Sequence, residues 1–200
     1  MGMSGFLAGL RRFTSDEALV AAMAKGDEQA FAQLVERHAP KVLALAQRLL
    51  RSTADAEDIT QEVFTRAWQK AAEWRPEAAY STWLHRITLN LSLNHQQRVQ
   101  RRFESLEDHL QELPCQAPNA EQQLLQAQTR EQLQAALEKL PEAQQIAMQL
   151  RYGSEQPVAD IAEIMGLSRK AVESLLVRAR RGLRQQLATY QESHSCQRLD

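Results

Sequence analysis

The chain has few of the residues that staple or punctuate a fold. Only Cys115 and Cys196 are present among 200 residues. So far apart, they make no disulfide framework and suit a reducing cytoplasm. Glycine and proline are scarce, at seven and six residues, which points towards an all-α chain. No run of β-branched residues alternates at period two, so no sheet is expected. No apolar stretch reaches the ~20 residues needed to span a bilayer, so no membrane insertion is expected. The apolar run in Met1–Phe13 is too short for a signal peptide, and residues 1–14 are expected to be a flexible leader. Nucleotide loops, metal-ligand clusters and Ser/His/Asp sets are also missing, so no enzymatic centre and no cofactor is expected. His194 and Cys196 are two candidate metal ligands, too few for a metal site. Nor does one sign of charge dominate: the net charge is −1, which taken alone argues against a nucleic-acid binder.

What is abundant is Ala, Leu, Gln, Glu and Arg, the composition of an all-α chain. The charge is also unevenly placed. Arg75 to Arg102 holds five arginines against Glu77 alone, and Phe103 to Gln149 holds eight acids against Arg130 and Lys139. Val158 to Tyr190 is basic again, with six cations and three acids. Two basic blocks flanking an acidic one predict two nucleic-acid contacts joined by a segment that avoids phosphate.

The second basic block contains a helix-turn-helix pattern. Gly166 supplies the left-handed turn residue. Ile161, Ala162 and Met165 precede it, and Ala162 must be small where the second helix crosses close. Ser168 is a good N-cap for that second helix. At ~100° per residue, Val172, Leu175, Leu176, Ala179 and Leu183 form one apolar stripe. The opposite face carries Lys170, Glu173, Ser174, Val177, Arg178, Arg181 and Arg184, as a major-groove reader requires. An ordinary amphipathic hairpin with a solvated charged face is the plainer reading, and it leaves the coincidence of these spaced positions unexplained.

In chain order, Ser15 caps a helix through Met23 that stops near Lys25-Gly26, and Asp27 opens a second. Pro40 is expected to start a third, with Val42, Leu45, Ala46, Leu49 and Leu50 inward. A fourth runs from about Asp55 to Glu73, with Ile59, Val63 and Ala67 inward and a polar stripe of Asp58, Glu62, Thr65 and Gln69. Arg75-Pro76 breaks it, and Ser81 or Thr82 caps the next helix, from Trp83 to about Arg102. There Trp83, Arg86, Asn90, Asn94, Gln97 and Arg101 share a band of ~80° beside Leu84, Ile87 and Leu91. Such a band suits a groove for the bases of a separated strand. It also suits a solvated face with Trp83 in the core. Residues 103–119 read as a linker. A helix over Ala120–Leu140 is expected to pack through Leu124, Ala127, Leu133, Ala136, Leu137 and Leu140. Another runs from Pro141-Glu142 through Arg151, before the helix-turn-helix. Residues 191–200 are expected to be a disordered tail. Two helical domains result, 15–102 and 120–190.

The ordered segments DAEDITQEVFTRAW (Asp55–Trp68), YSTWLHRITLNLSLNHQQR (Tyr80–Arg98), ALEKLPEAQQIAMQLRYG and the helix-turn-helix together resemble the extracytoplasmic-function class of bacterial RNA polymerase sigma factors of the sigma-70 family. The resemblance covers roughly Asp16 to Tyr190. It implies sigma region 2 over 15–102, region 4 over 120–190, and a cytoplasmic factor that directs promoter-specific initiation. It implies core polymerase as a partner, through the clamp helices of β′ and the β flap, together with promoter DNA and an anti-sigma factor. On the polymerase side it marks Asp55, Asp58, Gln61, Glu62 and Phe64. For the −10 element it marks Tyr80, Trp83, Arg86, Asn90, Asn94, Gln97, Arg98 and Arg101, with Asn90 in the pocket for a flipped base. For the −35 element it marks Arg169, Lys170, Glu173, Ser174, Val177, Arg178 and Arg181. RPEAAY, in the loop from Arg75 to Ser81, departs from the glycine-containing form common in the family. So do Glu173 and Leu175, which stand where basic residues are common. A free-standing helix-turn-helix regulator with a helical dimerisation domain is the rival of another class. An interaction protein that keeps the polymerase surface without reading DNA is a third.

Overall fold

The computed structural model describes residues 15–50, 52–104 and 133–196, with only the backbone described for 102–104 and 189–196. The expected leader, most of the expected linker, and Leu124 and Ala127 lie outside these residues. Among the described residues there is no strand.

Helix α1 (Asp16–Met23) begins at Ser15, whose hydroxyl accepts from the Ala18 amide. It ends on Gly26 at φ 88. Asp27 then caps α2 (Glu28–Leu49) by accepting from the amides of Gln29 and Ala30. Pro40 does not start a helix; it lies inside α2, which runs unbroken through it. The lost amide bond costs less than splitting a helix whose Leu34, Val42, Leu45 and Ala46 all feed buried clusters. Pro40 itself is exposed.

Ser52 caps α3 (Thr53–Gln69), followed by a short 3₁₀ turn, Ala71–Glu73. Then comes α4 (Tyr80–Glu104). It starts before Ser81 and Thr82, so neither is its cap, and it extends past Arg102. Helices α1 to α4 enclose one core, in which Leu34, Val63, Leu84 and Tyr80 are buried. Asp16 ties α1 to α2, accepting from Arg37 at 3.0 Å and lying 2.7 Å from His38 Nε2.

The second module comprises the helical residues 133–138 and three helices: α5 (Glu142–Met148), α6 (Val158–Met165) and α7 (Arg169–Cys196). A widened turn over Gln149–Gly153 follows α5, closed by the Ser154 amide donating to the Gln149 carbonyl at 3.0 Å. Leu133 is 43 % exposed rather than packed, whereas Ala136 and Leu140 pack on Ala179 and Leu183. Helix α7 continues to Cys196, past the point where a disordered tail was expected.

The two modules touch. Leu45 of α2 and Leu89 of α4 share a buried cluster with Ile146, Leu150, Ile161, Ile164, Val172 and Leu176. At ~100° per residue, α4 therefore has three faces. Leu84, Thr88 and Leu91 face the first core, and Thr82, His85, Leu89 and Leu93 face the second module. The third face is exposed.

Candidate nucleic-acid interface

That third face of α4 is the band expected from the sequence. Arg86, Asn90, Asn94, Gln97, Arg98 and Arg101 are all exposed, and Trp83 is half-buried at the rim. None of these arginines is ion-paired to a described residue, so their charge is open to an anionic partner. Tyr80 is not part of the surface. It is 2 % exposed and held among His38, Trp74 and Trp83, with ring centroids 5.3, 6.0 and 5.6 Å away. Burial, with Asp16 nearby, pushes its phenol pKa well up. The residue thus props Trp83 from behind instead of meeting a base.

The helix-turn-helix takes the geometry its glycine implied. Gly166 has φ 65 and ψ 33. Its amide donates to Glu163, and that of Leu167 donates to Ala162 at 2.9 Å, which closes α6 with the paired bonds of a left-handed C-cap. The Ser168 hydroxyl accepts from the Ala171 amide at 3.2 Å and caps α7. Val172, Leu176, Ala179 and Leu183 are buried and Leu175 is half-buried. Arg169, Lys170, Glu173, Ser174, Val177, Arg178 and Arg181 are exposed, with Val177 at 56 %. An apolar side chain held out among cations fits contact with a thymine methyl group. Glu173 forms no ion pair with a described residue, Arg169 and Lys170 included.

A third exposed face lies on α3. Asp58, Gln61, Thr65 and Gln69 are exposed, and Asp55 and Glu62 are half-buried. Glu62 accepts from Arg66 Nε at 2.7 Å, and Asp55 lies 3.6 Å from His95 Nε2. Phe64 is buried at 6 % and meets Phe31 edge-on at 6.5 Å, so it supports this face from beneath and is not itself a surface contact. Beside the face, Glu28, Phe31, Thr65, Trp68 and Gln69 line an open groove of about 490 Å³. Sequence reading missed this groove. Its signal was the aromatic pair Phe31 and Trp68, now 5.1 Å apart, which periodicity treats as ordinary core.

Missed too was the polar cluster under α4. His85 is 2 % exposed, and burial, with His38, Lys41 and Arg48 nearby, pulls its pKa down to about 4. Burial also lowers the pKa of Arg48. Among the described residues, no group of three or more His, Cys, Asp or Glu side chains is placed to hold a metal ion. No described helix is long and apolar enough to cross a membrane.

The exposed band of α4, the outer face of α7 and the polar face of α3 all fall within stretches where known proteins match. The sigma-70 region 2 family model matches residues 34–103, and the sigma-70 region 4 model matches residues 130–183. The ECF RNA polymerase sigma factor SigE of Mycolicibacterium smegmatis is 35 % identical over 197 residues, covering 92 % of this chain and 76 % of SigE. The chain belongs to the extracytoplasmic-function class of sigma-70 family sigma factors. As a sigma factor it serves promoter-specific transcription initiation with RNA polymerase. The fold agrees. CnrH, solved in complex with the cytosolic domain of CnrY, superposes with a TM-score of 0.65 at 27 % identity, over 88 % of this chain and 99 % of CnrH. The sigma factor RpoE of Bartonella quintana, solved with the anti-sigma factor NepR, shares the fold at 23 % identity and a TM-score of 0.61, over 79 % and 96 % of the two chains.

Proposed function

We propose that the three exposed faces divide the work of this sigma factor. The outer face of α3, with Asp55, Asp58, Gln61 and Glu62, docks on the clamp helices of β′, and the second module meets the β flap. The α4 band takes the non-template strand of the −10 element: Asn90 hydrogen-bonds a flipped base, Trp83 stacks, and Arg86, Arg98 and Arg101 hold phosphates. Helix α7 reads the −35 element through Arg169, Lys170, Glu173, Ser174, Val177, Arg178 and Arg181. Region 2 spans 15–102 and region 4 spans 120–190. The chain acts in the bacterial cytoplasm without an active site of its own, and an anti-sigma factor covers its polymerase surface, as NepR partners the similar RpoE.

The observation that carries this reading is the separation of the faces. An amide-rich band with a half-buried tryptophan, a cationic recognition helix and an acidic stripe each reach solvent on a different helix. A free-standing regulator would need only the recognition helix, and would leave the region 2 match over 34–103 unexplained.

Asn90→Ala tests the division. Losing the positioned amide costs roughly 1–3 kcal/mol at the step where the base is extruded. The holoenzyme forms and duplex binding through α7 persists, while permanganate reactivity of unpaired thymines falls. Intact melting with lost duplex binding would show that α4 reads duplex DNA instead.

A further inference from the structure

One cavity belongs to none of the three faces. It has a volume of about 280 Å³ and lies between α2, α4 and the turn that follows α5. Helix α2 contributes Lys41 and Arg48 to its wall, α4 contributes His85, and the turn contributes Gly153, Ser154 and Glu155.

The charge on this wall is one-sided. Neither Lys41 nor Arg48 forms an ion pair with a described residue, Glu155 included. Lys41 and Glu155 are exposed, whereas Arg48 is half-buried, and that burial lowers its pKa. His85 feels the same positive field: His38, Lys41 and Arg48 add to burial in lowering its pKa. Holding a guanidinium partly out of water without a counter-charge is costly, so the wall favours an incoming anion.

Hydrogen-bonding capacity is left over as well. Arg48 Nη2 donates to Ser154 Oγ at 3.0 Å. That hydroxyl accepts here and keeps its own proton for another acceptor. His85 is 2 % exposed, and its Nδ1, like Arg48 Nε, is buried without a partner among the described residues. Buried polar atoms are seldom left so.

Gly153 keeps the guanidinium where it is. Its φ is not positive, so its backbone does not require glycine. A Cβ there would lie 2.7 Å from Arg48 Nε and 2.9 Å from Arg48 Cδ, so any larger residue displaces the Arg48 head.

Charge and size select the ligand. Lys41 and Arg48 bring two formal positive charges. A phosphate group matches them, with about −1.5 to −2 near pH 7 and three strong acceptor oxygens. The cavity also exceeds what a bare phosphate fills, since one water takes roughly 30 Å³. Pro40 and Ala44 add an apolar stretch of wall suited to a short carbon chain.

We propose that this cavity binds the phosphate group of a small ligand, with Lys41, Arg48 and Ser154 holding its oxygens and His85 Nδ1 as a further donor. None of these side chains takes part in docking on polymerase or reading the promoter, so the site stands apart from those faces.

Calorimetric titration of the full chain tests it, with inorganic phosphate in one arm and glycerol 3-phosphate in the other, at an ionic strength held constant with potassium chloride. Saturable binding at a single site is expected. Lys41→Gln, at an exposed position, weakens it about tenfold, because hydrogen bonds to charged groups are worth that much or more. Gly153→Ala weakens it too, by displacing Arg48. Lys25→Gln, an exposed cation at the α1–α2 turn, leaves it unchanged. In the histidine ring NMR spectrum, the His85 signal, identified by its absence in His85→Gln, shifts on titration. Tighter binding of glycerol 3-phosphate assigns Pro40 and Ala44 to its carbon chain, and equal affinities restrict recognition to the phosphate; either result supports the site. No saturable binding of either probe overturns it. So does binding that Lys41→Gln leaves unchanged, or a His85 signal that stays still at saturation.

Discussion

Glu173→Lys separates base reading from phosphate attraction on α7. Glu173 is exposed on the outward face and forms no ion pair with a described residue. At ~100° per residue it shares a band of about 100° with Lys170, Ser174, Val177 and Arg181. Facing phosphate, a carboxylate there weakens all binding alike. Facing the exocyclic amine of cytosine, it accepts a hydrogen bond and discriminates by ~1–3 kcal/mol, roughly 5- to 150-fold at one base pair. The reversal to lysine should therefore raise affinity for unrelated DNA. It should also steepen the salt dependence by about 0.9 in log–log slope if the new ammonium gains one phosphate. At one −35 position the preference for cytosine should collapse. The assay is a −35 base-substitution series bound by wild type and variant at one fixed salt concentration, then repeated across salt. Parallel profiles, shifted equally at every position, would refute base reading and reduce Glu173 to a brake on non-specific binding.

Charge reversal of the α3 stripe, Asp58→Lys with Glu62→Lys, should leave helical content unchanged and weaken core polymerase binding about tenfold or more, because like charges juxtaposed at an interface cost several kcal/mol; unchanged affinity in a titration with labelled factor removes this face from the docking surface. His85, neutral in the fold with a pKa of about 4, should make stability pH-dependent. The unfolded chain binds this proton near pH ~6.5, so the contribution is complete above that value and is lost as pH falls towards 4. The full loss is at most about 3 kcal/mol. Urea unfolding of wild type and His85→Leu across that range should show a flatter profile for the variant, and identical slopes would contradict the assignment. Gly166→Val forces a β-branched residue into φ 65, at a cost of roughly 1–2 kcal/mol or more; an unaltered melting temperature would mean the turn has another conformation in solution.

Local chemistry was the most legible part of the chain. Ser15, Asp27, Gly166 and Ser168 stop or start helices through bonds within a few residues, and the structure shows those bonds. Pro40 was misread for the complementary reason: the local rule favours a helix start, but apolar positions on both sides of it hold one helix together. Tyr80 and Phe64 were marked as contacts by the family resemblance, whereas both fill core space. The inter-module face could not be read from periodicity. Thr82 and His85 are polar, and at helical spacing such positions are indistinguishable from solvated ones until their cover is known. Leu133 erred in the opposite sense, an apolar residue at a plausible core position that remains exposed.

The central claim is that this chain alone gives core polymerase its promoter specificity through two DNA-reading faces. Run-off transcription with purified core polymerase on fragmented genomic DNA tests it most directly. The full chain should yield discrete transcripts that weaken with Asn90→Ala and with the double reversal of Asp58 and Glu62. No transcripts above core alone, together with homodimeric binding to palindromic duplex, would contradict it.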